Sequence, residues 1–206
     1  MKMRSFLLPI VLLVFSIISA DGATVITFDD LSETGSGTFL ANGYQGLNWS
    51  NFGILNAVLR TNLFGISGYY YGMVSASNVA WGGFISPTEI DSPTNFDFFS
   101  TYLTGAWNSN LNVEVKGFNG VTMLFDTTVV ASATSPSLFT FNYLNINRLT
   151  FDSSGGQSAG FPNGSGEHFA MDNFTFEFIP EPSSFLLAGF GALALWPFLK
   201  RKRVQP

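Results

Sequence analysis

No cysteine occurs anywhere in this chain, and its histidine content is a single residue, His168. The first absence excludes disulfides, thiol nucleophiles and thiolate metal ligands. The second excludes the multi-histidine sites typical of zinc enzymes. Neither an H-E-x-x-H pair nor a phosphate-binding Gly-Lys loop is present. Basic residues are scarce where most of the chain lies. Between residues 21 and 180 only Arg60, Lys116 and Arg148 stand against thirteen acidic residues, a net charge of −10 that the whole-chain −5 conceals. A body so acidic repels phosphate backbones and anionic lipid heads, which excludes nucleic acid as a partner and leaves neutral glycans, divalent cations or basic surfaces.

The remaining basic residues gather at the two ends. Lys2 and Arg4 precede an apolar stretch from Phe6 to Ile18 and the small residues Ile18-Ser19-Ala20. That order predicts a secretory signal peptide over residues 1–20, cut after Ala20, and therefore passage through the secretion translocon. At the other end, Pro180-Glu181-Pro182 is followed by an uncharged apolar run and then Lys200, Arg201, Lys202 and Arg203. Two prolines so close cannot both sit inside a regular element, so they end the preceding fold. Residues 183–199 reach the roughly 17-residue minimum for a spanning helix. The basic cluster stays cytoplasmic, and the body faces outward.

These last 27 residues resemble the PEP-CTERM sorting signal of bacterial exported proteins, also catalogued as an ice-binding protein C-terminal domain. Pro197 near the end of the run, and Val204-Gln205-Pro206 after the cluster, depart from its plainest form. The resemblance implies processing by an exosortase-like membrane protease, with Pro180, Glu181 and Pro182 as the recognition residues. It also implies anchoring in the inner membrane first, then display at the cell surface or release. An unprocessed tail anchor is the alternative.

Between the two ends, about 160 residues fit one domain. Short alternations of apolar and polar residues recur at Thr24–Phe28, Gly46–Trp49, Tyr71–Ser75, Phe96–Leu103, Leu111–Phe118, Val121–Val130, Ser137–Phe141, Asn147–Phe151 and Phe174–Phe178. Their period of two and their Gly, Asn and Ser boundaries predict strands. No helix is expected between residues 21 and 180. Eight or nine antiparallel strands predict an all-β, two-sheet sandwich over 21–179, jelly-roll-like, with an up-and-down barrel as the rival. If the terminal strands are neighbours, as in many jelly rolls, Thr24–Phe28 lies beside Phe169–Phe178.

That adjacency would bring Asp29, Asp30 and Asp172 together beside Asn173, an oxygen-rich set suited to a structural calcium ion. The alternative is a turn at Asp29-Asp30 and a bulge anchored by Asp172. A second candidate is aromatic: Tyr69, Tyr70, Tyr71, Trp81 and Trp107, with Trp49 nearby in type, offer faces on which sugar rings stack. In a phenylalanine-rich body the same rings also serve as core. The Gly- and Ser-rich stretch 153–167 is expected to be disordered. The function that fits is a non-catalytic surface or matrix protein that binds polysaccharide. Glu89, Glu114 and Glu167 leave open a two-carboxylate glycoside hydrolase or lyase, and a purely structural envelope or biofilm protein is a further alternative.

Overall fold

A computed structural model describes residues 22–180. The leader 1–20 with Ala20, the motif residues Glu181 and Pro182, the apolar run 183–199 and the cluster Lys200, Arg201, Lys202 and Arg203 lie outside the described residues. Among the described residues, no helix is long and apolar enough to cross a membrane.

In chain order the elements are β1 (Thr24–Ile26), β2 (Thr38–Phe39), a 3₁₀ turn (Tyr44–Gly46), β3 (Asn48–Ser50), β4 (Gly53–Asn56), α1 (Ala57–Phe64), α2 (Gly68–Tyr71), β5 (Asn78–Gly82), β6 (Thr88–Gly105), β7 (Asn108–Ser109), β8 (Leu111–Asn119), β9 (Thr122–Ala131), β10 (Ser137–Ser154), β11 (Gln157–Ser158) and β12 (Phe169–Phe178). All pairings are antiparallel. The two 18-residue strands β6 and β10 run side by side through both layers. Their first register breaks fall at Asn142 and Asn145, which take left-handed φ values of 52° and 58°, a conformation asparagine tolerates better than most residues. A third break follows between Ile146 and Arg148, where Ser92–Asn95 of β6 has no partner on β10 and carries Pro93, whose missing N–H costs nothing there.

These corners fold one hydrogen-bonded path into two layers. One layer holds β3, the start of β6, the end of β10, β8 and β9. The other holds β2, β4, β5, β12, the end of β6 and the start of β10, with β1 beside β12. Rings from the two layers meet between them, Trp49 on Phe174 at 5.9 Å and Phe151 on Phe169 at 5.9 Å. The architecture is thus the expected antiparallel sandwich, and the first and last strands pair as expected, Thr24 opposite Phe176.

A break in β12 keeps that core continuous. Phe169 and Met171 face the interlayer core, and strict alternation would next send Asn173 inward. Instead the register shifts between Asp172 and Thr175, with Asn173 at φ 51°, and Phe174 and Phe176 enter the same core. The bulge alternative for Asp172 is the arrangement found.

Two sequence expectations are corrected. Helix α1 exists between the terminal segments, capped by Asn56, whose side-chain oxygen accepts from Leu59 N at 2.9 Å, and closed by Gly65 at φ 81°. Its residues are apolar on more than one side, Val58, Leu59 and Leu63 being exposed, so no 3.6-residue stripe marks it. Tyr71–Ser75 is not a strand: Tyr71 ends α2, and Val74 and Ser75 form a loop. With α2, helix α1 covers a smaller apolar cluster of Leu55, Ala57, Tyr69, Val79, Ala106, Trp107 and Ala170 on the outer face of the second layer.

Candidate functional site

The residues expected to hold calcium do not share a site. Asp29 accepts from Asn78 N at 2.9 Å, while Asp30 accepts from the Tyr44 hydroxyl at 2.6 Å. Asp172 is fully buried and takes the N–H groups of Val74 (2.7 Å), Ser75 (2.8 Å) and Asn173 (2.7 Å), plus the Ser75 hydroxyl at 3.1 Å. A cation seated on that carboxylate would face donors, the wrong polarity for a metal shell. Asn173 leaves its side-chain oxygen buried without a partner, but one amide oxygen makes no site. Among the described residues, no group of three or more His, Asp or Glu is placed to hold a metal ion. The donor set does not fit calcium.

The aromatic candidates divide. Tyr70 and Tyr71 lie at the surface, where Tyr71 stacks on Phe161 with centroids 5.9 Å apart. Trp49 belongs to the interlayer core. The other three, Tyr69, Trp81 and Trp107, line one cavity of about 270 Å³ with Ser36, Leu55, Arg60, Gly164, Ser165 and His168. That volume falls just below the range of drug-sized ligand pockets, which starts at roughly 300 Å³, and suits a single small ring.

Several elements build the cavity. α1 supplies Arg60, α2 supplies Tyr69, β5 supplies Trp81, and the segment after β6 supplies Trp107. α2 comes close because Gly68 N donates to Ala106 O at 2.9 Å, and a Cβ on Gly68 would lie 1.8 Å from Gly105 O. The expected disorder of 153–167 is overturned. β11 within it pairs with β7, Glu167 accepts from Gly155 N, and Asn163 Nδ2 donates to Phe64 O at 3.1 Å. The loop thereby closes over Trp107, at Gly164.

That closure is tight. A Cβ on Gly164 would sit 2.2 Å from the Trp107 ring. The change Gly164→Ala should push the loop off the indole, cost about 1–3 kcal/mol, and raise the rate of limited proteolysis within 160–167. Unchanged urea midpoint and cleavage rate would contradict this packing.

Tyr69 stands edge-on to Trp107 at 5.6 Å, and its hydroxyl is joined to His168 Nδ1 at 2.9 Å. The His168 ring stacks on Trp81 at 6.1 Å. Burial pushes the Tyr69 hydroxyl well above the usual tyrosine range. Burial first, and the Arg60 charge second, hold His168 below its ordinary value, so its ring is neutral at pH 7. Arg60 lies against the rings of Phe64, Tyr69 and Trp107 at 4.8, 4.8 and 5.8 Å. One of its terminal nitrogens donates to Gly35 O at 3.2 Å. Neither Arg60 nor His168 is among the binding candidates that residue type picks out of the sequence. Their signal was rarity: one of three basic residues in the body and the chain's only histidine.

The glutamates offered for hydrolysis have structural partners. Glu114 pairs with Lys116 at 2.6 Å, Glu89 with Arg148 at 3.3 Å, and Glu167 holds its own loop. The string Gly156-Gln157-Ser158-Ala159-Gly160 has the spacing of a nucleophile elbow. It lies on the two-residue strand β11 and the loop beyond, with no helix following, and Ser158 Oγ accepts from Gly160 N. An elbow needs a strand–turn–helix.

Residues 178–203 match the PEP-CTERM protein-sorting motif. The chain thus carries a PEP-CTERM sorting motif at these residues, and the motif implies export and, in general, exosortase processing. No curated protein matches the chain. Among solved structures it is similar to a DUF4465 family protein from Bacteroides ovatus, with 9% identity, a TM-score of 0.45, and coverage of 79% of this chain and 91% of that one. It is also similar to TmCBM61 in complex with β-1,4-galactotriose, with 10% identity, a TM-score of 0.33, and coverage of 69% and 98%. At those scores nothing is carried over from either.

Proposed function

We propose that this is an exported, non-catalytic surface or extracellular-matrix protein whose jelly-roll-like body binds saccharide in the Tyr69–Trp81–Trp107 cavity. The signal peptide takes it through the secretion translocon. The C-terminal helix holds it in the inner membrane until an exosortase-like protease acts at Pro180-Glu181-Pro182. The observation that carries the binding reading is a concave site combining aromatic rings with Arg60, Ser36, Ser165 and His168. Apolar faces with a few convergent polar groups suit a sugar, which has apolar ring faces and a hydroxyl rim.

Topology supports the same reading. His168, in the cavity wall, immediately precedes β12, and the sorting tail leaves from the far end of that strand. Ten residues of strand separate the two by about 30 Å. A ligand in the cavity is thus held away from the point of membrane attachment.

The test is titration of the purified protein with neutral and acidic oligosaccharides, read by tryptophan emission. Saturable change with at least one class is expected, and Trp81→Ala should weaken it about ten-fold or more, roughly 1.4 kcal/mol. Emission indifferent to every saccharide would refute the binding reading and leave the sorting motif untouched.

A further inference from the structure

The cavity contains a charge without a counter-charge. Among the described residues, the ion pairs are Lys116–Glu114 and Arg148–Glu89, and Arg60 is in neither. The cavity wall includes no aspartate or glutamate. Arg60 Nε is buried with no acceptor, and so is the indole Nε1 of Trp81 in the same wall. Buried donors nearly always have partners, because an unpaired one forfeits its hydrogen bond to water. The three rings around Arg60 meet the guanidinium but offer no lone pair to the Nε–H. His168, held neutral, adds no second positive charge.

From this arrangement we infer that the cavity takes a carboxylate-bearing sugar, a uronic acid residue, with the carboxylate on Arg60 and the sugar ring against the aromatic wall. A planar carboxylate accepts from guanidinium N–H groups in a directional, charge-assisted geometry that a neutral hydroxyl does not match. The rest of the body argues for selectivity rather than general attraction. Its net −10 repels polyanions everywhere else, so an acidic chain is held only where one residue docks. This assignment rests on the saccharide reading above and sharpens it.

The experiment compares trigalacturonate with its fully methyl-esterified form, which differs in charge, and with acetate, which has the charge and no sugar. All three are titrated into the full chain in neutral detergent, with tryptophan emission as the readout. Trigalacturonate should bind about ten-fold or more tighter than the ester, a preference that shrinks as added salt shortens the screening length. Arg60→Gln should remove the preference, bringing the acid and ester affinities within about three-fold of each other. Trp81→Phe, which keeps a ring and deletes the N–H, should reduce the preference without abolishing it, and serves if the Arg60 variant does not fold. Equal affinity for the acid and ester overturns the uronate assignment while the saccharide reading survives. Acetate competing as well as trigalacturonate overturns it too, by showing that the sugar contributes nothing. Failure of both trisaccharides to bind brings down this assignment and, if other saccharides also fail, the reading beneath it.

Discussion

Replacing Asp172 by alanine is expected to lower the unfolding free energy by about 4 kcal/mol, among the larger single-residue effects available to this fold. The carboxylate has no exposed surface and accepts from three backbone N–H groups and the Ser75 hydroxyl. Removing it leaves those groups, already withdrawn from water, without an acceptor. The loss reaches beyond the loop at Val74 and Ser75, because the same hydroxyl lies 3.4 Å from Thr27 O, beside β1. The milder change Asp172→Asn should cost less, about 2 kcal/mol, since one oxygen survives while the amide N–H₂ faces other donors. The urea midpoint checks both values. A midpoint for the alanine variant within experimental scatter of the parent would disprove the pinning role.

The pH dependence follows from the same burial. Desolvation pushes Asp172 up to about 6 from an ordinary 3.8, and the donated hydrogen bonds oppose that rise. A carboxyl raised in the folded state takes up its proton there before the unfolded chain does. The protonation-linked part of its contribution to stability is therefore greatest below about pH 4 and is lost as pH climbs through 6, while the accepted hydrogen bonds persist. The asparagine variant should lack this component.

How far the sequence disclosed all this depends on the distance over which each feature is encoded. Strand periodicity is local, so Leu111, Val113 and Val115 announce their buried face without help from the rest of the chain. The sorting motif is local as well, three parts in a fixed order at one end. Helix α1 was hidden because its exposed Val58, Leu59 and Leu63 erase the stripe by which helices are recognised, leaving only the Asn56 cap as a sign. The long strands look like fragments in the sequence because their corners, at Pro93 and Asn142–Asn145, resemble ordinary turn punctuation. The cavity was half legible. Residue type alone points to Tyr69, Trp81 and Trp107, but nothing along the chain says that Tyr70 faces out and Tyr69 in. Arg60 and His168 are 108 residues apart, and only the fold brings them to one wall. The acidic residues misled for a related reason. Closeness of strand ends was correctly expected, but side-chain direction was not available, and Asp172 turned out to be encircled by N–H donors.

Where the chain is cut decides whether the exported body survives. A protein ending at residue 180 is expected to melt within about 2 °C of the uncut form, and one ending at residue 173 is expected not to fold. Among the described residues, the hydrogen bond nearest the C-terminal end is Ile179 N to Asn95 O at 2.9 Å, and Pro180 beyond it is exposed. Cleavage at the motif therefore leaves every contact among the described residues of the sandwich in place. Cleavage seven residues earlier removes Phe174 and Phe176, which are buried in the interlayer core, and strips β1 of its pairing partners Thr175, Phe176 and Phe174. Phe174 stacks on Phe98 at 4.8 Å and meets Trp49 from the opposite layer, so its loss opens the centre of the molecule. Each such phenylalanine is worth about 3–5 kcal/mol, and two together consume much of the roughly 5–15 kcal/mol by which a domain of this kind is stable. Circular dichroism melts of the two truncations separate the outcomes. A folded 22–173 protein would mean that the second half of β12 is dispensable, and the sorting tail would then hang from a stretch that does not hold the body together.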